Sequence, residues 1–244
     1  MRNRHALPLI CLCLLGSYLV AGVITTHTYS TAFPLTQWPI SEASHWVNGK
    51  ATGINWADVS STLGRAIGHE GRTLYSDATA LLQNYIAWDP DQSVTATVFQ
   101  VTGTTQPNCY QEVELRLRSH IAPYSNTGYE VNFKVSKESY AYFQIVRWNG
   151  PIANFTYLLS KHGSGYGAQN GDVIKATMIG HTISAYKNGI LMGQVADSTF
   201  NSGAPGMGFN LSGANSTSSG GSCLYTNGNY GLTNFTAVSS RTWY

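Results

Sequence analysis

The stretch that decides the fold is CYQEVELRLRSHI, Cys109–Ile121, together with GYEVNFKVS, Gly128–Ser136. In the first segment apolar and charged residues alternate, with Val113, Leu115 and Leu117 set against Glu112, Glu114, Arg116 and Arg118. The second segment alternates in the same way, with Tyr129, Val131, Phe133 and Val135 set against Glu130, Asn132, Lys134 and Ser136. Successive side chains of a strand point to opposite faces. Both segments are therefore predicted to be antiparallel strands with one buried and one solvent-facing side.

Short strands separated by turn residues continue on either side. Ser139–Trp148 places Ala141, Phe143 and Ile145 on one side and Tyr140, Tyr142, Gln144 and Trp148 on the other. Asp172–Asp197 predicts a three-stranded meander whose second turn is Asn188-Gly189, a strong hairpin signal. Residues 23–92 are less regular, since Ala57–Ala66 fits a helical turn and Ala78–Ile86 fits either a helix or a strand. The pattern predicts an all-β antiparallel sandwich or barrel.

Residues 1–22 have the features of a secretory signal. A basic start containing Arg2 and Arg4 precedes an apolar run, Ala6–Ala21, that is short for a membrane span. We expect cleavage near Gly22 and a single domain over residues 23–244. The expected location is extracellular, with the periplasm or the cell surface as alternatives.

The expected mature chain is formally neutral. The sequence has 14 basic and 12 acidic residues, and removal of Arg2 and Arg4 leaves 12 of each. No nucleic-acid partner is expected, and no membrane partner after signal cleavage, because both surfaces attract basic patches. Only 11% of residues are charged, whereas 25 are glycine and 15 are tyrosine, so we expect a surface of uncharged polar groups.

Five segments together resemble the bacterial concanavalin A-like lectin and glucanase domains, which are laminin-G-like jelly rolls. These segments are Gly128–Phe133, Tyr142–Gly150, Asn170–Thr177, Ala185–Gly189 and Gly203–Phe209. The resemblance implies a two-sheet antiparallel jelly-roll sandwich with a glycan or polysaccharide bound across the concave face of one sheet. That family includes lectins, sugar-binding modules, retaining glucanases and alginate-type lyases. Fold alone therefore implies no single activity.

Two cysteines, Cys109 and Cys223, remain after removal of the expected signal. Because cysteines in exported chains usually pair, we predict a disulfide between them; a buried free thiol and a catalytic cysteine are the alternatives. The histidines stand singly and there is no HExxH motif, so no metal site and no cofactor are predicted. Family members often bind a structural calcium through an aspartate near the last strand. The corresponding Leu232–Phe235 has no acidic residue, which leaves calcium unsupported.

The sequence allows two catalytic interpretations. A retaining glycosidase needs two carboxyl groups on one face, and Glu112 and Glu114 have the required spacing along a strand. Arg116 stands where the glucanases carry a third acid, so an exposed, charge-alternating strand face is the simpler interpretation of this pair. The resemblance to alginate lyases points to Arg116, Gln144 and Tyr186. Glu112 and Val146 there replace an arginine and a histidine of the lyase pattern, which weakens that reading.

Carbohydrate binding requires fewer specific residues than catalysis does. It needs aromatic rings for the faces of sugars and polar groups for their hydroxyls. The predicted solvent-facing sides of neighbouring strands supply both kinds of group. The predicted ligand-binding residues are Arg116, Glu130, Asn132, Tyr142, Gln144 and Trp148. The alternative is that Tyr142 and Trp148 are ordinary core aromatics. The sequence favours a secreted carbohydrate-binding protein, with a polysaccharide-degrading enzyme or a structural, adhesive surface protein as alternatives.

Overall fold

The computed structural model describes residues 23–50, 56–70, 77–104, 106–213 and 226–243. The predicted signal, residues 1–22, lies outside the described residues, as does most of the Ser/Gly/Asn-rich piece before the last strand. Within the described part there is no helix long and apolar enough to cross a membrane.

In the described part of the chain, fifteen strands form two antiparallel sheets. In chain order the strands are β1 Val23–Thr31, β2 Val47–Asn48, β3 Val59–Thr62, β4 Arg65–Gly68, β5 Asp77–Leu81, β6 Asp91–Gln100, β7 Tyr110–Ala122, β8 Ser125–Lys134, β9 Tyr142–Gly150, β10 Phe155–His162, β11 Val173–Ile179, β12 Thr182–Lys187, β13 Ile190–Ala196, β14 Ala204–Ser212 and β15 Tyr230–Trp243. One sheet has the order β13-β12-β11-β6-β15-β4-β3, with β1 paired to β15. The other has the order β10-β9-β8-β7-β14-β5-β2. The all-β, two-sheet sandwich predicted from the sequence is confirmed.

The main core lies between the two sheets. From the seven-stranded sheet it takes the apolar positions of the deciding stretch, including Val113, Leu115, Leu117, Val131 and Phe133. From the eight-stranded sheet it takes Val94, Ala96, Ile174, Ala176 and Leu232, among others. All of these side chains are fully or almost fully buried. One side of each central strand is therefore committed to the core, and the polar side faces away from the other sheet.

The predicted meander is confirmed, and its second turn shows why Asn-Gly suits it. Asn188 and Gly189 have φ of 51° and 80°, a region in which asparagine and glycine are favoured. The Asn188 side chain also accepts a hydrogen bond from the Val173 amide at 2.8 Å. This contact ties the turn to the start of β11.

The N-terminal portion differs from the prediction. Residues 59–68 form the hairpin β3–β4 rather than a helical turn, and Asp77–Leu81 is a strand. The hairpin fills the edge of the eight-stranded sheet, where Val59 and Ala66 are fully buried. Pairing with the rest of the sheet overrides the weak local pattern of this segment.

Candidate functional site

The outer face of the seven-stranded sheet carries rows of polar residues that the strand register sets side by side. One row runs Asn210, Glu112, Lys134 across β14, β7 and β8. The next runs Gly208, Glu114, Asn132, Gln144 and Ser160, and a third runs Gly206, Arg116, Glu130, Val146 and Tyr157. The predicted ligand-binding residues therefore lie on adjacent strands of one sheet face.

At one end of this face the charged residues form what we call the arginine cluster: Arg116 with Asp77, Glu114 and Glu130, covered by Trp56 and Trp148. Arg116 Nη2 lies 2.8 Å from Asp77 Oδ1 and 2.5 Å from Glu114 Oε2, and Nη1 lies 2.7 Å from Glu130 Oε2. Arg116 is only 1% exposed, and the three acids are equally enclosed. Its guanidinium thus joins three buried carboxylates.

Two glycines of β14 make room, one for this cluster and one for the neighbouring strand β5. A Cβ at Gly208 would stand 2.2 Å from Glu114 Oε2 and 2.9 Å from Arg116 Nε. A Cβ at Gly206 would stand 2.3 Å from the Ala80 carbonyl oxygen. The Gly-Met-Gly of the Gly203–Phe209 segment thus lets long side chains from β7 cross the strand and reach Asp77 on β5.

Trp148 closes the arginine cluster from above. Its indole Nε1 donates to Glu130 Oε2 at 2.5 Å, and its ring meets that of Trp56 edge-on at 4.4 Å between centroids. The Arg116 guanidinium lies 5.5 Å from both indole rings, within cation–π range. Trp148 is only 2% exposed, so the partial exposure expected of a ligand-stacking ring is wrong for this residue.

The structure corrects two further expectations about β7. Glu112 and Glu114 do not lie on an exposed strand face, because both are buried. Arg118 does not share the face of Arg116: its φ is 44° and the register with β8 shifts after Leu117. Its guanidinium donates instead to the carbonyls of Pro90, Phe200 and Gly180, so it links to loops and to the other sheet.

At the other end of the face lies an open cavity of about 470 Å³, which we call the tyrosine groove. Its lining residues are Pro107, Tyr110, Glu112, Tyr140, Tyr142, Gln144, Tyr157, His162, Asn210 and Ser212. Tyr157 is 56% exposed, whereas Tyr142 and Gln144 show only their edges. Four phenol rings therefore surround a carboxyl group, two amides and an imidazole.

Sequence reasoning found part of this groove and missed part. It placed Tyr142 and Gln144 on the polar side of β9, and the structure brings both to the groove. It missed Tyr110, although Tyr110 continues the same alternation as Glu112 and so had a signal. It also missed Tyr157 and His162, since a register shift within β10 breaks the period-two pattern there.

Glu112 forms the floor of the groove. The Tyr142 hydroxyl donates to Glu112 Oε1, and Asn210 Nδ2 donates to Oε2 at 3.4 Å. Burial raises the pKa of Glu112 to about 7, an effect that outweighs the hydrogen bond from Tyr142. The carboxyl group of Glu112 therefore changes between its neutral and charged forms near neutral pH.

Lys134 stands beside the groove, and tyrosine rings surround it. Its ammonium donates to the Pro107 carbonyl at 2.9 Å and lies 4.7 Å from the ring centroids of Tyr110 and Tyr140. Burial lowers the pKa of Lys134 to about 8, and Glu112 partly opposes that shift. Lys134 is not among the residues that line the groove; it holds Tyr110 and Tyr140 in place.

A second, small cavity of about 40 Å³ connects the two regions. Its lining comprises Asp77, Glu112, Glu130, Asn132, Gln144, Val146, Trp148, Phe155, Tyr157 and Asn210. Burial raises the pKa of Asp77 and of Glu114 above the ordinary range, against the attraction of Arg116. Asp77 and Glu114 therefore keep their protons to a higher pH than exposed acids do.

The predicted catalytic sets come together only in part. Glu112 lines both cavities, whereas Glu114 lines neither and is bound to Arg116. Tyr186 lies on β12 of the opposite sheet, beside Lys175, so it does not join Arg116 and Gln144. The lyase set is therefore incomplete at this face, and the roles of Glu112 and Glu114 stay a prediction.

A metal ion has one geometric candidate among the described residues. Oxygen atoms of Asp77, Glu114 and Glu130 lie within 4.8 Å of one another. The guanidinium of Arg116 contacts all three carboxylates and takes the place that a cation would fill. These acids are explained as partners of Arg116.

Of the two cysteines in the predicted disulfide, one is described by the structure and the other is not. Cys109 is buried at the start of β7. Cys223 lies outside the described residues, so its pairing with Cys109 stays a prediction.

Comparison with known proteins gives the fold its name. The sequence matches no protein-family model and no curated protein. Among solved structures, a β-glucanase from Bacillus licheniformis is 13% identical with a TM-score of 0.54, over 88% of this chain and 98% of that one. The carbohydrate-binding module CBM66 from Bacillus subtilis is 15% identical with a TM-score of 0.51, over 70% and 94%. The exoplasmic/lumenal domain of VIP36, in a Ca²⁺/Man-bound form, is 7% identical with a TM-score of 0.52, over 88% and 99%.

The chain has a concanavalin A-like jelly-roll fold. This agrees with the resemblance drawn from the Gly128–Phe133 and Gly203–Phe209 segments. Because every identity is far below 25%, the likeness establishes the fold, and the activity has to be argued from the site.

Proposed function

We propose that this protein is a carbohydrate-binding protein whose ligand lies in the tyrosine groove. The observation that carries the proposal is the groove itself: four tyrosines around Glu112, Gln144 and Asn210 on one sheet face. Tyrosine offers a flat apolar ring for the face of a sugar together with a hydroxyl for its polar edge. Carboxylate and amide groups supply the directional hydrogen bonds that fix a polar ligand.

The shape of the site supports a chain of sugars as the ligand. The groove is open, and Tyr157 stands 56% exposed at its side, where a ring can stack without any rearrangement. The neighbouring proteins of this fold include a module named as carbohydrate-binding and a structure named as mannose-bound, which is consistent with the same use here. The arginine cluster borders the small cavity beside the groove through Asp77, Glu130 and Trp148.

The test is retention of the purified protein on a panel of immobilised neutral and acidic polysaccharides. We expect retention on at least one of them, with loss of retention in Tyr110→Ala and its preservation in Tyr110→Phe, which keeps the ring. Failure to bind any polysaccharide, with the fold intact, would contradict the proposal. Equal retention of Tyr110→Ala would place the ligand elsewhere.

A polysaccharide-degrading activity is a second candidate, favoured by Glu112. A carboxyl group with a pKa of about 7 is matched to general acid–base chemistry, and this one opens into the groove. The assay follows reducing ends and unsaturated uronate absorbance over the same panel. New reducing ends that disappear in Glu112→Gln would establish hydrolysis; their absence with binding intact would leave a binding protein.

We further propose that the chain is exported by residues 1–22 and carries the Cys109–Cys223 disulfide. The support is the basic-then-apolar start of the sequence and the tendency of cysteines in exported chains to pair. N-terminal sequencing of the secreted protein and a thiol count under denaturing conditions test these points. A start at residue 1, or two free thiols per mature chain, would contradict them.

A further inference from the structure

The small cavity between the arginine cluster and the tyrosine groove has a chemical preference of its own. Its volume of about 40 Å³ exceeds the roughly 10–15 Å³ that is needed to hold one water molecule, and it suits a group of hydroxymethyl size. It shares Glu112, Gln144, Tyr157 and Asn210 with the groove, so a sugar lying in the groove can direct a substituent into it.

The side-chain oxygens of two asparagines accept no hydrogen bond from the described residues. Asn132 Nδ2 donates to Glu130 Oε1 at 2.7 Å and to Gln144 Oε1 at 3.3 Å, which fixes the orientation of that amide. Asn210 Nδ2 is directed at Glu112 Oε2. The remaining oxygens, Asn132 Oδ1 and Asn210 Oδ1, are buried without a hydrogen bond, and both residues are more than nine-tenths buried. A buried acceptor without a donor is costly, so this cavity is suited to a ligand that brings donors.

The charge of the cavity points the same way. Its described lining contains the carboxyl groups of Asp77, Glu112 and Glu130 and no lysine or arginine. Arg116, which lies behind it, already bridges Asp77, Glu114 and Glu130. A further carboxylate brought into the cavity would lose its water at a place where burial already disfavours the charged forms of Asp77 and Glu112, as their raised pKa shows.

We propose that the small cavity receives the hydroxymethyl group of a hexose and rejects the carboxylate of a hexuronate. This inference rests on the proposed function and names its ligand class: glycans of uncharged hexoses. A hydroxyl donates to Asn132 Oδ1, Asn210 Oδ1 or Glu112 and replaces the missing partners. A uronate carboxylate has no hydrogen to donate, so the same atoms that hold the hydroxyl exclude the acid.

The test uses matched oligosaccharides. Binding of cello-, laminari-, manno- and chitohexaose, and of alginate and polygalacturonate oligomers, is measured by calorimetry on the full mature chain. The best hexose ligand is then oxidised selectively at its hydroxymethyl carbons to the corresponding uronate. We expect at least about a tenfold loss of affinity on oxidation. A pentose ligand that lacks the group, such as xylohexaose, should also bind at least about tenfold more weakly than cellohexaose if cellohexaose is the ligand.

A pair of variants tests whether the preference for a hexose over a uronate arises at the small cavity. Glu112→Gln removes the negative charge that Glu112 carries above its pKa of about 7 and adds an amide donor at the cavity. Measured above that pH, it should narrow the ratio of hexose to uronate affinity. Glu138→Gln is the matched control, because Glu138 lines neither cavity, and it should leave that ratio unchanged.

The outcomes separate the two proposals. Equal or tighter binding of the oxidised ligand, or binding of alginate or polygalacturonate alone, would overturn the inference while carbohydrate binding stands. An unchanged affinity ratio in Glu112→Gln would also overturn the assignment to this cavity. Binding of no oligosaccharide at all would overturn the proposed function and this inference with it.

Discussion

The two ends of the same sheet face are built from the same kinds of residue and behave differently. At the arginine cluster, acids and aromatic rings close over one guanidinium, and Arg116 and Trp148 are at most 2% exposed. At the tyrosine groove, one carboxyl group and four tyrosine rings leave a cavity of about 470 Å³. Residue type therefore does not by itself distinguish the open end from the closed end; the difference lies in how completely the side chains are buried.

The largest expected effect concerns the closed end. Arg116→Met leaves Asp77, Glu114 and Glu130 buried without their shared cation, which should cost about 3–5 kcal/mol of unfolding free energy. For a chain of this size that corresponds to a fall in Tm of roughly 10 °C, measured by calorimetry. The control is Arg147→Met, because the ion pair of Arg147 with Asp197 is partly exposed and should contribute at most about 1 kcal/mol. Equal losses of unfolding free energy in the two variants would show that the arginine cluster stabilises the fold no more than a partly exposed ion pair does.

A smaller effect is expected where β14 makes room for the cluster. Gly208→Ala places a Cβ 2.2 Å from Glu114 Oε2 and 2.8 Å from the Ala78 carbonyl, so it should cost about 1–3 kcal/mol through overpacking. Gly165→Ala is the control, because a Cβ there meets nothing within 4 Å. Denaturant unfolding measures both variants. A neutral Gly208→Ala would mean that the long side chains can rearrange and that the packing is loose.

A change of pH acts on the open end of the face and on one buried acid elsewhere in the fold. Burial raises the pKa of Glu112 to about 7 and that of Glu70, a buried residue elsewhere in the fold, to about 8, from ordinary values of 4.5. The unfolded chain ionises these groups first as pH rises, so the stability they contribute is complete below pH 4.5 and is lost up to pH 7 and 8. We expect Tm to fall by several degrees between mildly acidic and mildly alkaline buffer. Glu70→Gln should remove the part of that fall that extends to the higher pH, and a Tm that rises over this range would contradict the assignment.

The alternation of Cys109–Ile121 and Gly128–Ser136 was enough to predict the sandwich and the face on which the polar residues lie. It could not predict burial, because Glu112 and Glu114 look like a solvated strand face until the glycines of β14 and Trp56 are placed beside them. It could not place Arg118, since a bulge after Leu117 ends the period-two rule. Nor could it assign Tyr186, whose sheet is set by long-range pairing that no local pattern contains.

If the ligand lies at the open end of the face, affinity for the retained glycan must depend on a groove tyrosine and not on a tyrosine of the opposite sheet. Tyr157→Ala removes a ring that is 56% exposed in the groove, so stability should change by less than about 0.5 kcal/mol. Tyr186→Ala removes a tyrosine from a strand of the opposite sheet. We expect the glycan Kd to rise about tenfold in Tyr157→Ala, a loss of roughly 1.4 kcal/mol of binding free energy, and to stay unchanged in Tyr186→Ala. An unchanged Kd in Tyr157→Ala, or an equal rise in Tyr186→Ala, would contradict it.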